Sequence, residues 1–413
     1  MPSPKLPRVA AFFGPLLFGS IALAGPIAAG GRHTCALDTT DTVYCWGDNA
    51  SGQLGDGTVG AARPVPAPIA RPDTLLGIVE LSAGRAHTCA RTLVGAVFCW
   101  GDNRAGQLGN GTLVASPRPV QVMGLPPVVQ LAAGGDHTCA VGNDASVLCW
   151  GSNDFGESLG TTGLPALAPL RLYRPREAGG SALHVAAGAS HTCFADAHPV
   201  SRGAAFCWGR LSEWQTGYQS ASDAGPFWTT PSALLHVSAG RAHSCALEER
   251  GDVRCTGQLG EARPDVTASG APSGFWSVNA IQVVSGGGFA CALRKDGTIA
   301  CWGEDGAGQL GNGPGRWSGW RTGAQVAVTV QGVFGALDVT AGDEHACAVT
   351  ARGELHCWGR GTEGQLGDGK TKSSEAPVKT KLERPARFCL DAGCPTRCPE
   401  GTTSRFGVCE AGK

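Results

Sequence analysis

The sequence predicts an all-β chain, a seven-bladed β-propeller with a small cysteine-rich C-terminal tail. Three observations predict it. One phrase returns seven times, and each copy carries two cysteines: Cys35 and Cys45, Cys89 and Cys99, Cys139 and Cys149, Cys193 and Cys207, Cys245 and Cys255, Cys291 and Cys301, Cys347 and Cys357. The first cysteines of successive copies lie 54, 50, 54, 52, 46 and 56 residues apart, and a period near fifty that runs end to end belongs to propellers, solenoids or arrays. Inside a copy the apolar runs are short and bounded by glycine, with no long helical stripe. A unit of that size buries too little surface to fold alone, so neighbours must stack.

The chain begins with a basic start, Lys5 and Arg8, and an apolar stretch from Val9 to Ala24. It ends Ala22-Leu23-Ala24, the small-x-small pattern that a signal peptidase accepts, so residues 1–24 read as a signal peptide cleaved after Ala24. The alternative is an uncleaved anchor, but sixteen residues interrupted by Pro15 are short for a membrane span. No membrane span is expected after cleavage, and the expected location is extracellular, cell-surface or periplasmic.

Residues 25–382 form the predicted propeller. In the third copy Val128–Ala133, His137–Val141 and Ser146–Trp150 read as three strands, and Pro-Val pieces such as Arg118-Pro119-Val120 as a fourth. Four strands per copy and seven copies make seven blades. Gly25–Gly30 reads as the first mature strand, and Ser374–Lys379 as a C-terminal strand that completes the blade containing the N-terminal strands. Closure by both ends would remove two free sheet edges.

The cysteine spacing sets a strand register. If Cys291 and Cys301 lie opposite each other, Ala292 faces Ala300, Leu293 faces Ile299, and Lys295-Asp296-Gly297 is left as a three-residue loop. Such loops end on a left-handed residue, where glycine costs least. The same arithmetic puts Gly95, Gly251 and Gly353 at that place, with Asp41 and Ala145 there in two other copies. Opposed residues on paired strands meet disulfide geometry. The reading is seven disulfides within blades, each worth roughly 2.5–3 kcal/mol in the loop-entropy model.

Metal is the competing reading. His33, His87, His137, His191, His243 and His345 each stand two residues before a first cysteine, and His with two Cys resembles a zinc ligand set. Against it, the sixth copy has Phe289 in place of histidine yet keeps both cysteines, and a fourth ligand is missing. The histidines are therefore expected to be structural, bonding a turn or packing between blades, and no metal or cofactor is expected.

Residues 383–413 form the tail. Cys389, Cys394, Cys398 and Cys409 allow three pairings, and a two-disulfide knot is favoured over zinc because paired C-x-x-C motifs are absent. Removing Lys5 and Arg8 with the leader leaves 31 Lys+Arg against 34 Asp+Glu, a net charge of −3. Without a basic patch before residue 370, nucleic-acid binding through phosphates is not expected.

The phrase Ala-Gly-x-x-His-Thr-Cys-Ala, then Cys-Trp-Gly-Asp-Asn-x-x-Gly-Gln-Leu-Gly, is clearest from Ala83 to Gly109. It resembles the regulator of chromosome condensation repeat, over nearly all of residues 27–380, in a secreted bacterial type with a paired cysteine in each repeat. The resemblance implies a seven-bladed propeller. The name-giving member of the family acts on a small GTPase and binds chromatin, and secreted relatives include an inhibitor that works by protein contact. Guanine-nucleotide exchange would need a cytosolic or nuclear GTPase, which the leader opposes.

Departures from the repeat point to a partner surface. Trp46, Trp100, Trp150, Trp208, Trp302 and Trp358 follow second cysteines in register and read as packing residues between blades. Trp214, Trp228, Trp276, Trp317 and Trp320 do not fit that register, and all fall in copies four to six beside Tyr218, Phe227 and Phe275. Clustered aromatics in irregular loops either make a binding surface or fill gaps left by degenerate strands. The chain is accordingly expected to be a non-catalytic protein-interaction module, adhesin- or inhibitor-like. Carbohydrate or cell-wall binding through the aromatics is the alternative, and an exchange factor by family analogy the third reading.

Overall fold

The structure is a computed structural model that describes residues 25–173, 182–196, 204–210, 228–229, 234–259, 273–314, 326–386, 402–405 and 408–411. Residues 1–24, read above as a signal peptide, and most of the tail, with the pairing of Cys389, Cys394, Cys398 and Cys409, lie outside the described residues. Seven four-stranded antiparallel sheets follow one another along the chain, each strand pairing with the next, and no described residue is helical. The fold is a seven-bladed β-propeller. Blade 2 is typical: Ile78–Ala83 is the inner strand, His87–Thr92 and Val97–Gly101 the middle pair, and Ser116–Gln121 the outer strand. In the tail, Thr402–Arg405 pairs with Val408–Ala411.

The cysteine register is as the spacing predicts. Cys291 pairs with Cys301, Ala292 with Ala300 and Leu293 with Ile299. All seven expected pairs are disulfides, each inside its own blade. Cys35 is bonded to Cys45 in blade 1, Cys89 to Cys99 in blade 2, and Cys139 to Cys149 in blade 3. Cys193 is bonded to Cys207 in blade 4 across the longer loop, and Cys245 to Cys255 in blade 5. Cys291 with Cys301 and Cys347 with Cys357 complete the set in blades 6 and 7. Their Cα atoms stand 4.0–4.1 Å apart, the close approach of a non-hydrogen-bonded antiparallel pair. The third loop residue is left-handed at each expected place. Gly297 has φ 77°, and the non-glycines Asp41 and Ala145 adopt 60° and 57°.

Core lies between blades. Trp46, Trp100, Trp150, Trp302 and Trp358 are fully buried, and each packs into a cluster shared with the preceding blade. Trp208 is partly buried in the same way against blade 3. Truncating one such indole costs about 3–5 kcal/mol in a typical core.

Ring closure differs from the expectation. Ser374–Lys379 does not complete the N-terminal blade. It is the outer strand of blade 7, where Val378 pairs with Cys357 and Lys379 with His356. Blade 1 has its own outer strand, Gly60–Pro68, so there is no vacancy for another. The C-terminal contribution to blade 1 comes later and is one residue long. In every other blade the last residue of the second strand pairs with the first residue of the inner strand, as Thr92 does with Ile78 and Thr350 with Ala336. In blade 1 that place belongs to Asp38, and its partner is Ala386. Pro385 accepts from the Thr39 amide at 3.2 Å, and the Ala386 amide donates to Gly353 at 3.0 Å. These contacts repeat those of Pro127 and Val128 between blades 2 and 3. The propeller therefore extends through Ala386, past the boundary at 382 that composition suggested.

Candidate functional site

The seven inner strands surround a central channel. At one mouth lie the Ala-Gly-x-x-His turns, around a cavity of about 460 Å³. Gly30, Gly84, Gly134, Gly188, Gly240, Gly286 and Gly342 form a ring there. A Cβ on any of them would collide with the carbonyl of the next glycine in the ring and with its own copy's histidine, or Phe289. Close approach, not turn geometry, demands glycine here. The next residue donates its amide across the junction, as Gly31 does to Gly84 at 3.1 Å and Gly135 to Gly188 at 2.9 Å. Salt bridges span blades around this mouth: Arg85 with Asp136, Arg241 with Glu304 at 3.1 Å, and Arg32 with Glu363 at 3.7 Å.

The histidines cross between blades. His33 Nε2 meets Thr88 Oγ1 at 2.8 Å, His87 meets Thr138 at 2.9 Å, His137 meets Thr192 at 2.9 Å, and His191 meets Ser244 at 2.8 Å. Each threonine hydroxyl donates to a backbone carbonyl of the preceding blade: Thr88 to Gln53, Thr138 to Gln107 and Thr192 to Glu157. The same carbonyls accept from the tryptophan indoles Trp100, Trp150 and Trp208. A hydroxyl that donates to the carbonyl must accept from histidine, so Nε2 carries the proton and Nδ1 is bare. Burial then holds the imidazoles neutral. Desolvation lowers His33, His137, His191 and His243 to about 3, and His87 and His345 to about 4. Histidine, hydroxyl, carbonyl and indole thus form a lock between blades at these junctions.

The lock lapses around blade 6. Thr/Ser gives way to Ala290 opposite His243, and neither ring nitrogen of His243 has a hydrogen-bond partner among the described residues. Trp302 Nε1 is likewise buried without one. At the following junction Phe289 replaces histidine and Ala346 replaces threonine, so both polar halves are gone together.

The opposite end of the channel is lined by one position per inner strand: Glu80, Gln130, His184, His236, Gln282 and Asp338, with Pro26 at the equivalent place in blade 1. A register shift in each of blades 2 and 4–7 falls just before this residue, and such bulges re-aim a side chain. The inner strand's free edge faces the channel, and three of these side chains cap it. Glu80 Oε1 accepts from the Leu131 amide at 3.0 Å, Gln130 Oε1 from Val185 at 2.9 Å, and Gln282 Oε1 from Val339 at 3.2 Å. Glu80 also binds Arg91 at 2.5 Å, yet desolvation raises its pKa. His184 and His236 pack ring to ring with centroids 3.9 Å apart; burial lowers His236 to about 4 and holds His184 well below the ordinary imidazole value. These cap residues were missed in the sequence; the signal was a polar residue three before each Ala-Gly or Ser-Gly.

The structure places one of the aromatic candidates fully. Trp276 is 7% exposed and stacks on Trp302 at 4.9 Å, so it belongs to the core between blades 5 and 6 and not to an open surface. It packs with Cys245, Leu247 and Val253 of blade 5 and Ala290 and Ala292 of blade 6. Trp228 and Phe275 lie on outer strands of blades 4 and 5. Trp214, Tyr218, Phe227, Trp317 and Trp320 lie outside the described residues.

The comparisons with known proteins agree on the family. The human E3 ubiquitin-protein ligase HERC6 (named as probable) is 43% identical over 88 residues, 20% of this chain and 8% of the ligase. Human protein RCC2 is 36% identical over 120 residues, 27% of this chain and 22% of that protein. The chain thus spans a small part of the curated relatives it matches. Among solved structures, yeast RCC1 (Prp20) bound to Kap60 is 20% identical with a TM-score of 0.71, covering 92% of this chain and 90% of that one. Prp20p from Saccharomyces cerevisiae, described with its binding to Gsp1p and histones, gives 22% and 0.69 over 82% and 85%. Models of the regulator of chromosome condensation repeat match residues 337–365 and 352–389. The RCC1-like domain model matches residues 7–315, and the chain belongs to that family.

Proposed function

We propose that this protein is an exported, non-catalytic protein-interaction module, a propeller that presents the irregular loops of blades 4 to 6 to another protein. One observation carries the reading: every blade holds a disulfide that staples its own middle hairpin. Structural disulfides at that density persist in oxidising compartments. The histidines that invite a catalytic or metal reading are buried, and five of the six are committed to bonds between blades, which favours a structural role for them. Yeast Prp20p, which shares the fold, is described with protein partners, and this favours a protein over a small ligand. With Trp276 in the core, the aromatics left to carry the surface are Trp214, Tyr218, Phe227, Trp228, Phe275, Trp317 and Trp320.

The test is capture of envelope and extracellular proteins by the exported full chain, with a glycan array in parallel. Trp317→Ala or Trp320→Ala should weaken protein capture at least tenfold and leave the thermal transition unchanged. Binding on the glycan array with no protein capture replaces the protein by a sugar. Lowered thermal stability with capture intact assigns these indoles to packing. Alkylation followed by mass spectrometry should find no free thiol, and free thiols on the native protein would overturn the export.

A further inference from the structure

At this channel end His184 Nδ1, His236 Nδ1 and one carboxylate oxygen are buried without a hydrogen-bond partner among the described residues, and of these only the carboxylate is an acid without a cation beside it. Asp338 Oδ1 accepts from Gln282 Nε2 at 2.8 Å, but Oδ2 is buried with no hydrogen-bond partner among the described residues. The residue is 7% exposed. Its neighbour across the seam is Gly25: a Cβ built on Gly25 would sit 2.6 Å from Asp338 Oδ2. The Gly25 nitrogen shares that Cα, so bond lengths place it within about 5 Å of the carboxylate. Blade 1 has Pro26 at the cap position, and the Gly25 carbonyl takes over its work by accepting from the Leu81 amide at 3.3 Å.

A second observation concerns what precedes Gly25. In the repeat register the residue before the bulge pairs with the end of the second strand, as Ala336 does with Thr350. The equivalent of Ala336 in blade 1 is residue 24, and that place is filled by Ala386, 0% exposed and bridged to Asp38. The inner strand of blade 1 is therefore composite: Ala386 stands at its head, and a different stretch of chain resumes at Gly25.

We propose that the chain is cut between Ala24 and Gly25, and that the new α-ammonium of Gly25 is the missing partner of Asp338, joining blades 7 and 1 at this end of the seam with a buried ion pair. The peptide bond Ala24–Gly25 is hydrolysed by one water, leaving a carboxylate on Ala24 and the ammonium on Gly25. An amide at Gly25 offers no charge to a buried carboxylate, whereas an ammonium offers charge-assisted hydrogen bonds. Without it, burial pushes Asp338 up to about 7. The other titratable groups at this channel end are Glu80, bound to Arg91, and the neutral pair His184 and His236; none of them meets Oδ2. The inference rests on the export reading but not on any partner's identity.

The experiment starts from the full chain passed through a secretory route. Intact mass and N-terminal sequencing should give Gly25 as the first residue. Reductive methylation of the α-amine with ¹³C-formaldehyde then reports its titration by NMR. A free α-amine titrates at about 7.7–8.0. In the processed protein it should titrate at least one unit higher than in the Asp338→Asn variant, a tenfold shift in the proton equilibrium. A second variant with Ala24 retained at the N-terminus should also lose the shift, since its amine stands one residue further out. A product starting at Met1 overturns the processing and the export together. A start at Gly25 with the same titration in wild type and Asp338→Asn overturns the ion pair alone.

Discussion

His345 of blade 7 reaches Thr34 of blade 1, Nε2 to Oγ1 at 2.9 Å, and Thr34 donates in turn to the Gln365 carbonyl at 2.9 Å. Trp46 donates to that same carbonyl at 2.8 Å. The seam between the chain's two ends is thus made of the same parts as an internal junction. Thr34→Ala leaves the buried His345 donor unpaired, which costs about 1–3 kcal/mol. Because the seam is what closes the ring, the loss should appear in the main cooperative transition in urea. A variant that unfolds at the wild-type midpoint would show the seam to be idle.

Histidine and hydroxyl should be exchangeable only as a pair. Phe289 and Ala346 are a natural example of both halves replaced. Thr138→Ala alone strands the His87 donor and should cost about 1–3 kcal/mol. His87→Phe with Thr138→Ala should recover at least half of that, because replacing both partners by apolar groups leaves nothing unsatisfied. Equal loss in the single and double variants, measured by urea unfolding, would refute the coupling.

Acid should loosen the propeller. An unfolded histidine titrates near 6.5, whereas the six junction histidines fold at about 3 to 4. The unfolded chain therefore binds more protons in between. The stabilisation is complete above about 6.5 and is lost as pH falls toward 4, at about 1.4 kcal/mol per pH unit for each histidine fully engaged. Asp338, if unpaired, works the other way: raised to about 7, its contribution is complete below about 3.9 and fades as pH rises through 7. Burial raises Glu80, Asp305 and Asp343 as well and lowers His184 and His236, so four carboxyls oppose eight imidazoles and the net slope between pH 6.5 and 5 should be downward on acidification. Urea midpoints that do not change from pH 7.5 to 5 would contradict this.

Ala386 should mark the end of the propeller. A chain ending at Leu382 loses the bridge to Asp38 and the bonds of Pro385 and Ala386 to Thr39 and Gly353. One ending at Arg387 keeps them. The shorter chain should melt several degrees lower, since about 1–2 kcal/mol shifts the midpoint of a domain this size by a few degrees. Identical melting of the two would return the boundary to 382.

The hairpins were legible because a disulfide with ten-residue spacing admits one register, and Gly297 or Asp41 then falls at the left-handed place. Cys193 and Cys207 kept their pairing legible even where the loop is longer, since both still sit in the repeated phrase. Ring closure was not legible, because a periodic sequence does not state its phase. Ser374–Lys379 looks like a strand missing from blade 1, yet the same strand is owed to blade 7. The one residue that does cross, Ala386, carries no signal of its own and is recognised only by its bridge. The histidines were legible as structural, since Phe289 breaks their pattern without disturbing the cysteines. Their partners were visible too, had copies been compared one step out of phase: Thr88 follows His33, Ala346 follows Phe289. Asp338 could not be read, because its meaning depends on where Gly25 lies in space. The aromatic cluster was read as one group, and Trp276 shows that a tryptophan out of register can still be core.

The staples also set how the molecule answers a pulling force. Each disulfide ties residues ten apart, or fourteen in blade 4, and none joins one blade to another. A pull on the two ends would part the blades from one another while every tied hairpin stayed shut. Each ten-residue loop then withholds roughly 35 Å of chain from extension. Stretched under oxidising conditions the protein should come out as a string of short tethers and closed loops, and only a reductant would release the rest of its length.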